Sequence, residues 1–202
     1  YSGTNSSTPL TPTDPNYPVL DDDRPLTVDS ITVNEGSPYA TFTVTGVAGQ
    51  LVKLSLSNGT ATIENGNGTV LTDGTEDYGP SLEYWNGSAW TSYTANSFVE
   101  IPSGSTTLLV RTAVINDSLN EGAHTFTLTA TNTGGETNVT STGNEGIATI
   151  KDDGTGSIFK YSGTNSSTPL TPTDPNYPVL DDDRPLTVDS ITVNEGSPYA
   201  TF

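Results

Sequence analysis

From Leu26 onward, apolar and polar residues alternate at a period of two in short runs bounded by Gly, Pro and Asn, the pattern of half-buried β-strands. Leu26 and Val28 alternate, and Ile31 and Val33 resume after a phase shift that predicts a bulge. Ala40, Phe42 and Val44 alternate with threonines, and Val52, Leu54 and Leu56 with Lys53 and Ser55. Residues 57–80 read as a loop, with Asn58-Gly59, Asn65-Gly66 and Asn67-Gly68 and a small apolar island at Ile63. LEYWNGSAWTSY, residues 82–93, reads as a hairpin turning at Asn86-Gly87, with Tyr84, Trp85, Trp90 and Tyr93 covering one end of the core. Further strands are expected at 97–101, 106–114, 124–131, 146–150 and 156–159, and no window keeps a helical period. The pattern predicts an all-β fold, an antiparallel Greek-key β-sandwich over residues 26–159.

Before Leu26 the pattern is different. Residues 1–25 are polar and punctuated by Pro9, Pro12, Pro15, Pro18 and Pro25, which favours extended backbone and marks a linker with an acidic end. Residues 1–42 recur unchanged as 161–202, an offset of 160 positions. The expectation is a tandem repeat of 160 residues from a longer protein, with any signal peptide or anchor outside this segment. Residues 160–185 are then the second linker copy and 186–202 the first strands of a further repeat. Assigning the body to 43–202 instead would put a 25-residue structureless connection, 161–185, inside a compact domain, which is uncommon. Residues 186–202 are therefore expected to be disordered or paired with a neighbouring molecule, and Glu35 rather than Glu195 to share a cation with Asp152 or Asp153.

Charge narrows the chemistry. Six Lys and Arg stand against 24 Asp and Glu, a net charge of −18. That balance disfavours nucleic acid and anionic membrane surfaces, and no apolar run is long enough for a membrane helix. The acids cluster at Asp21-Asp22-Asp23, Asp152-Asp153 and Asp181-Asp182-Asp183, and others sit at strand ends: Glu35, Asp77, Asp117 and Glu121. Carboxylates gathered at one pole of a sandwich repel unless a cation bridges them, and Ca²⁺ takes six to eight oxygen ligands. A solvated acidic rim is the alternative. With no Cys and one His, a nucleophile–base centre is hard to assemble, so the chain reads as non-enzymatic. His124 alternates in phase with Phe126, Leu128 and Ala130 and is expected to pack at a strand end. The two Trp read as core or rim aromatics rather than a sugar platform.

The motifs ITVNEG, EDY, VINDSLNEGAHTFTLTATN and ATIKDDG, in this order and followed by a linker with DDDRPLTV, resemble the Calx-beta domain. They resemble more closely the Calx-beta-like, immunoglobulin-like extender repeats of giant bacterial surface adhesins of the RTX type. The resemblance implies Ca²⁺ held at one pole by Glu35, Asp77, Asp117, Glu121, Asp152 and Asp153. Two positions depart from the family: Asn116-Asp117-Ser118 replaces a longer acidic run, and His124 stands where a Glu is frequent. One or two ions per interface is the resulting expectation.

The function expected is a structural extender of a calcium-stabilised extracellular adhesin on a bacterial surface, projecting a distal region for attachment or biofilm formation. Its partners would be neighbouring repeats of the same chain, with lateral self-association as a further contact and no membrane insertion by this segment. Asp21, Asp22 and Asp23 would tie each linker to the pole of the preceding domain; Asp181, Asp182, Asp183 and Glu195 are the second-copy equivalents. The alternatives are a building block of a fibre or sheath, and a β-sandwich module that binds glycan or protein.

Overall fold

The computed structural model describes residues 24–63, 76–132, 144–159 and 167–202. Ten strands form two sheets: β1 Thr27–Val28, β2 Ile31–Asn34, β3 Tyr39–Thr45, β4 Leu51–Asn58, β5 Tyr78–Trp85, β6 Trp90–Ser92, β7 Val99–Glu100, β8 Thr107–Val114, β9 His124–Thr131 and β10 Glu145–Lys151. One sheet runs β1-β3-β8-β5-β6 and the other β2-β10-β9-β4-β7. The alternation read from the sequence is the pleat of these strands. Phe42, Val44, Val52, Val110, Phe126, Leu128 and Ala148 fill the space between the sheets and are buried.

Among the described residues every pair of these strands is antiparallel except β2 with β10, which is parallel. The phase shift between Val28 and Ile31 is the cause, and it is no bulge. Val28 pairs with Val44 in one sheet, and three residues later Ile31 pairs with Ala148 in the other, so the chain changes sheets there. Gly146 permits the crossing: a Cβ at that position would lie 2.0 Å from the Asp29 carbonyl oxygen.

Two other expectations are corrected. Tyr78, read as part of a loop, opens β5 and is buried, stacked on Phe126 at 4.0 Å between ring centroids, and its hydroxyl donates to Asn58 at 2.6 Å. The register shift between Tyr78 and Leu82 hides its strand character, because Gly79 and Pro80 fall in the irregularity. Residues 156–159 form no strand. Ser157 makes a single parallel bridge with Val33, while Ile158 and Phe159 are buried. Within the hairpin, Gly87 has φ +99°, as expected, and Asn86 Oδ1 accepts from the backbone N–H of Ser88 and Ala89. Trp85 is buried edge-on against Trp90, and the Arg111 guanidinium lies over the rings of Tyr39 and Trp90 at 3.7 and 4.1 Å.

The chain reaches and leaves this body at opposite ends. At the base, beside the β3–β4 turn, Gln50 Nε2 donates to the Arg24 carbonyl at 2.7 Å. At the other end, the pole, lie the loops after β2, β8 and β10, where the second linker copy is seated. Leu170 N–H donates to Ile158 O at 2.8 Å, and Gly154 N–H to Asp181 O at 2.9 Å. Residues 186–202 form no strand and stand exposed.

Candidate metal centre

Strand ends bring the acidic residues together at the pole. Glu35 follows β2, Asp117 follows β8, Asp152 follows β10 and Asp77 precedes β5. Glu35, Asp77 and Asp152 are buried. Their loops are tied to one another: Asp117 N–H donates to Glu35 Oε1 at 2.9 Å, and Glu121 N–H to Asp152 Oδ2 at 2.8 Å. The linker then adds to the set. Asp183 N–H donates to Asp152 Oδ1 at 3.0 Å, and Asp181 N–H to Asn34 Oδ1 at 2.8 Å. Asn34 returns bonds through Nδ2 to the carbonyls of Asp181, Thr155 and Lys151. Small residues let these segments approach. Gly154 has φ +72° and would carry a Cβ 2.9 Å from Asp182 Oδ2, and a Cβ on Gly36 would lie 3.3 Å from that of Asp181.

Among the described residues, two groups have ligand atoms within 4.8 Å of one another: Glu35, Asp152 and Asp181, and separately Asp77, Glu121 and His124. The first is all oxygen, the donor set of a hard divalent cation such as Ca²⁺. Its electrostatics are strained. Burial pushes the Glu35 carboxyl up to about 7, the charges of Asp117, Asp152 and Asp181 add to this, and the Asp117 N–H only partly opposes it. Asp183 is raised by desolvation and by the charges of Asp181 and Asp152. The Oδ2 atoms of Asp181 and Asp183 are buried and accept no hydrogen bond within the described residues. Buried carboxylate oxygens without a donor are costly unless a cation meets them.

The second group corrects the expectation for His124. The residue points inward, in phase with Phe126, but it stands one step beyond the last core layer, so its ring enters the acidic pole. Nδ1 lies 2.5 Å from Asp77 Oδ1 and 3.4 Å from Glu121 Oε2. Burial lowers the imidazole pKa, but the Asp77 hydrogen bond and the charges of Asp77, Glu121 and Glu35 outweigh it and raise it overall. Asp77 is oriented by Thr62, whose N–H donates to Oδ2 at 2.7 Å. A protonated His124 supplies this half of the pole with its own positive charge.

The remaining candidates belong to neither group. Asp153 accepts from Thr155 and pairs with Lys151 at 3.5 Å, and its pKa falls through the Thr155 bond first. Asp182 is held by Arg184 at 2.7 Å. Asp117 Oδ1 accepts from Leu119 N–H in its own turn. Glu195 is exposed and a member of neither group. Asp21, Asp22 and Asp23 lie outside the described residues. Sequence reasoning missed Asn34 and Thr62, which hold ligands without being ligands; a neutral side chain that positions an acid leaves no signal in charge patterning.

No protein-family model and no curated protein matches the chain. Among solved structures it is similar to the apo-form CBD1 domain of Calx, with 16% identity and a TM-score of 0.39 over 62% of this chain and 95% of that one. It is also similar to the calcium-binding domain CBD12 of CALX1.1, with 18% identity and a TM-score of 0.42 over 64% of this chain and 44% of that one. CBD12 of CALX1.2 gives 18% identity and a TM-score of 0.41 over 63% of this chain and 45% of that one. The chain thus spans less than half the length of the two CBD12 structures.

Proposed function

We propose that the chain is a calcium-stabilised structural repeat, an extender of a large extracellular bacterial adhesin. The observation that carries this reading is that the linker, not the body alone, completes the all-oxygen group. Glu35 and Asp152 come from the sandwich and Asp181 from the segment leading onward, and the Oδ2 atoms of Asp181 and of nearby Asp183 are buried with no hydrogen-bond partner among the described residues. Glu35, Asp152 and Asp181 would hold Ca²⁺, with Asp183 beside them; the ion would supply the positive charge this pole lacks. Binding would fasten the linker to the body it has just left. Because the chain arrives at the base and departs at the pole, repeats joined this way extend in line, which suits a spacer that gains reach by duplication.

The glycan-binding alternative has less to stand on, since Trp85 is buried and Arg111 covers Trp90. The test is calcium titration of the intact chain beside its Asp181→Asn and Asp182→Asn variants. Asp181→Asn should weaken binding about tenfold, equivalent to about 1.4 kcal/mol, while Asp182→Asn leaves it unchanged. Equal affinities for both variants, or no binding by the parent chain, would refute the reading.

A further inference from the structure

Among the described residues stand two Asn-Gly pairs, Asn58-Gly59 and Asn86-Gly87, alike in sequence and both exposed. In such a pair no side chain on the glycine blocks its nitrogen from approaching the asparagine amide. The fold treats the two pairs differently. Gly59 N–H donates to Thr125 O at 3.0 Å, and a Cβ on Gly59 would lie 2.5 Å from that same oxygen. Its nitrogen is engaged and its surroundings are full. Asn58 closes β4, paired with Phe126, and its Oδ1 accepts from the Tyr78 hydroxyl at 2.6 Å. Turning the Asn58 amide onto Gly59 would take that acceptor from a buried tyrosine, which is costly.

At the turn between β5 and β6 these restraints are missing. Gly87 N–H makes no hydrogen bond among the described residues, and no atom beyond its chain neighbours would lie closer than 3.9 Å to a Cβ there. Asn86 Oδ1 accepts from Ser88 N–H at 3.0 Å, from Ser88 Oγ–H at 2.9 Å and from Ala89 N–H at 2.9 Å. Nδ2 donates to Thr91 Oγ1 at 2.9 Å. Three donors on one carbonyl oxygen draw electrons from Cγ and stabilise the negative charge that grows on Oδ1 when a nucleophile adds, as an oxyanion hole does.

We propose that Asn86 is a modification site, its amide cyclising onto Gly87 and opening in water, while Asn58 is spared. The Gly87 nitrogen gives its proton to water and bonds to Asn86 Cγ. The Cγ–Nδ2 bond breaks, and Nδ2 leaves as ammonia with a proton taken from water. Water then opens the succinimide ring: attack at Cγ gives aspartate, and attack at the main-chain carbonyl gives isoaspartate. The co-reactant is water alone, and nothing is oxidised or reduced. Either product adds a negative charge at the turn. Isoaspartate also routes the main chain through the side-chain carbon, lengthening it where Asn86 N–H donates to Ala89 O at 3.0 Å.

The test is peptide mapping of the intact chain after incubation at mildly alkaline pH, folded in calcium buffer and unfolded in urea. Each asparagine is read separately, and an isoaspartyl methyltransferase counts isoaspartate. In urea Asn58 and Asn86 should convert at comparable rates. In the fold Asn86 should convert at least about tenfold faster than Asn58. Ser88→Ala, at an exposed turn position, should slow Asn86 in the fold and leave its rate in urea unchanged. Asn58 keeping pace with Asn86 in the folded chain, the same ratio of the two in urea as in the fold, or a Ser88→Ala chain converting at the parent's folded rate overturns the proposal.

Discussion

Residues 26–42 and 186–202 are one sequence in two surroundings. Leu26 is 2% exposed and Phe42 0%, while their copies Leu186 and Phe202 are 98% and 76% exposed. The Asn-Glu-Gly-Ser turn is the same in both copies, down to the bond from the asparagine side chain. The strands flanking it exist only in the first. A turn closes on its own atoms, whereas a strand borrows every ladder bond from another segment, so local chemistry carries over and pairing does not.

The largest expected effect lies at the aromatic position. Phe42→Ala empties a site against Phe126 and should destabilise by about 3–5 kcal/mol. Phe202→Ala should change stability by less than about 0.5 kcal/mol. Urea midpoints of the two variants measure the difference, and comparable losses would mean that the second copy is seated as well.

The glutamates sharpen the comparison next. At about 100 times Kd, calcium should stabilise the intact chain by roughly 2.7 kcal/mol. Glu35→Ala should abolish most of that gain and Glu195→Ala none of it, read as Tm with calcium and with chelator. A gain that survives Glu35→Ala moves the ion elsewhere.

A smaller effect is expected from pH. Glu35 has its carboxyl raised from 4.5 to about 7 in the fold, so the native state holds a proton that the unfolded chain releases. Stability from this group is present below about 4.5 and lost as pH rises toward 7. The raised His124 acts in the same sense, its contribution present below 6.5 and lost as pH climbs through its folded value. In calcium-free buffer the chain should therefore lose about 2 kcal/mol between pH 5 and pH 8. Glu35→Gln should flatten most of that slope, and calcium, which needs the ionised carboxylate, should reverse it. A midpoint that rises with pH in calcium-free buffer would contradict this account of the pole.

Much of this molecule was legible in the order of its residues. Period-two alternation marks β3, β4, β9 and β10 because each turns its apolar positions toward the core, and the facing sheet turns that alternation into a sandwich; β8, with Leu108 to Thr112 all buried, is covered on both faces. Asn86-Gly87 marks the hairpin because Gly87 takes a positive φ at little steric cost. Tyr78 was hidden because the irregularity at Gly79 and Pro80 breaks the period its strand would show. In the site, Glu35 and Asp152 were legible as acids at strand ends. The partition of the acids was not, since Asp153 and Asp182 differ from Asp152 and Asp181 only in which neighbour reaches them.

The sequence by itself determined the strands' inward faces, the turns, the acidic excess and the identity of the two segments. Each rests on interactions within a few residues or on composition. Tertiary structure alone decided that the chain changes sheets at Asp29, that His124 meets Asp77 across 47 positions, and that Asp181 joins Glu35 and Asp152. It also decided which copy of the repeated segment is buried. Sequence cannot distinguish identical residues; only the strands they lie against can, because pairing and burial are properties of the partner as much as of the segment.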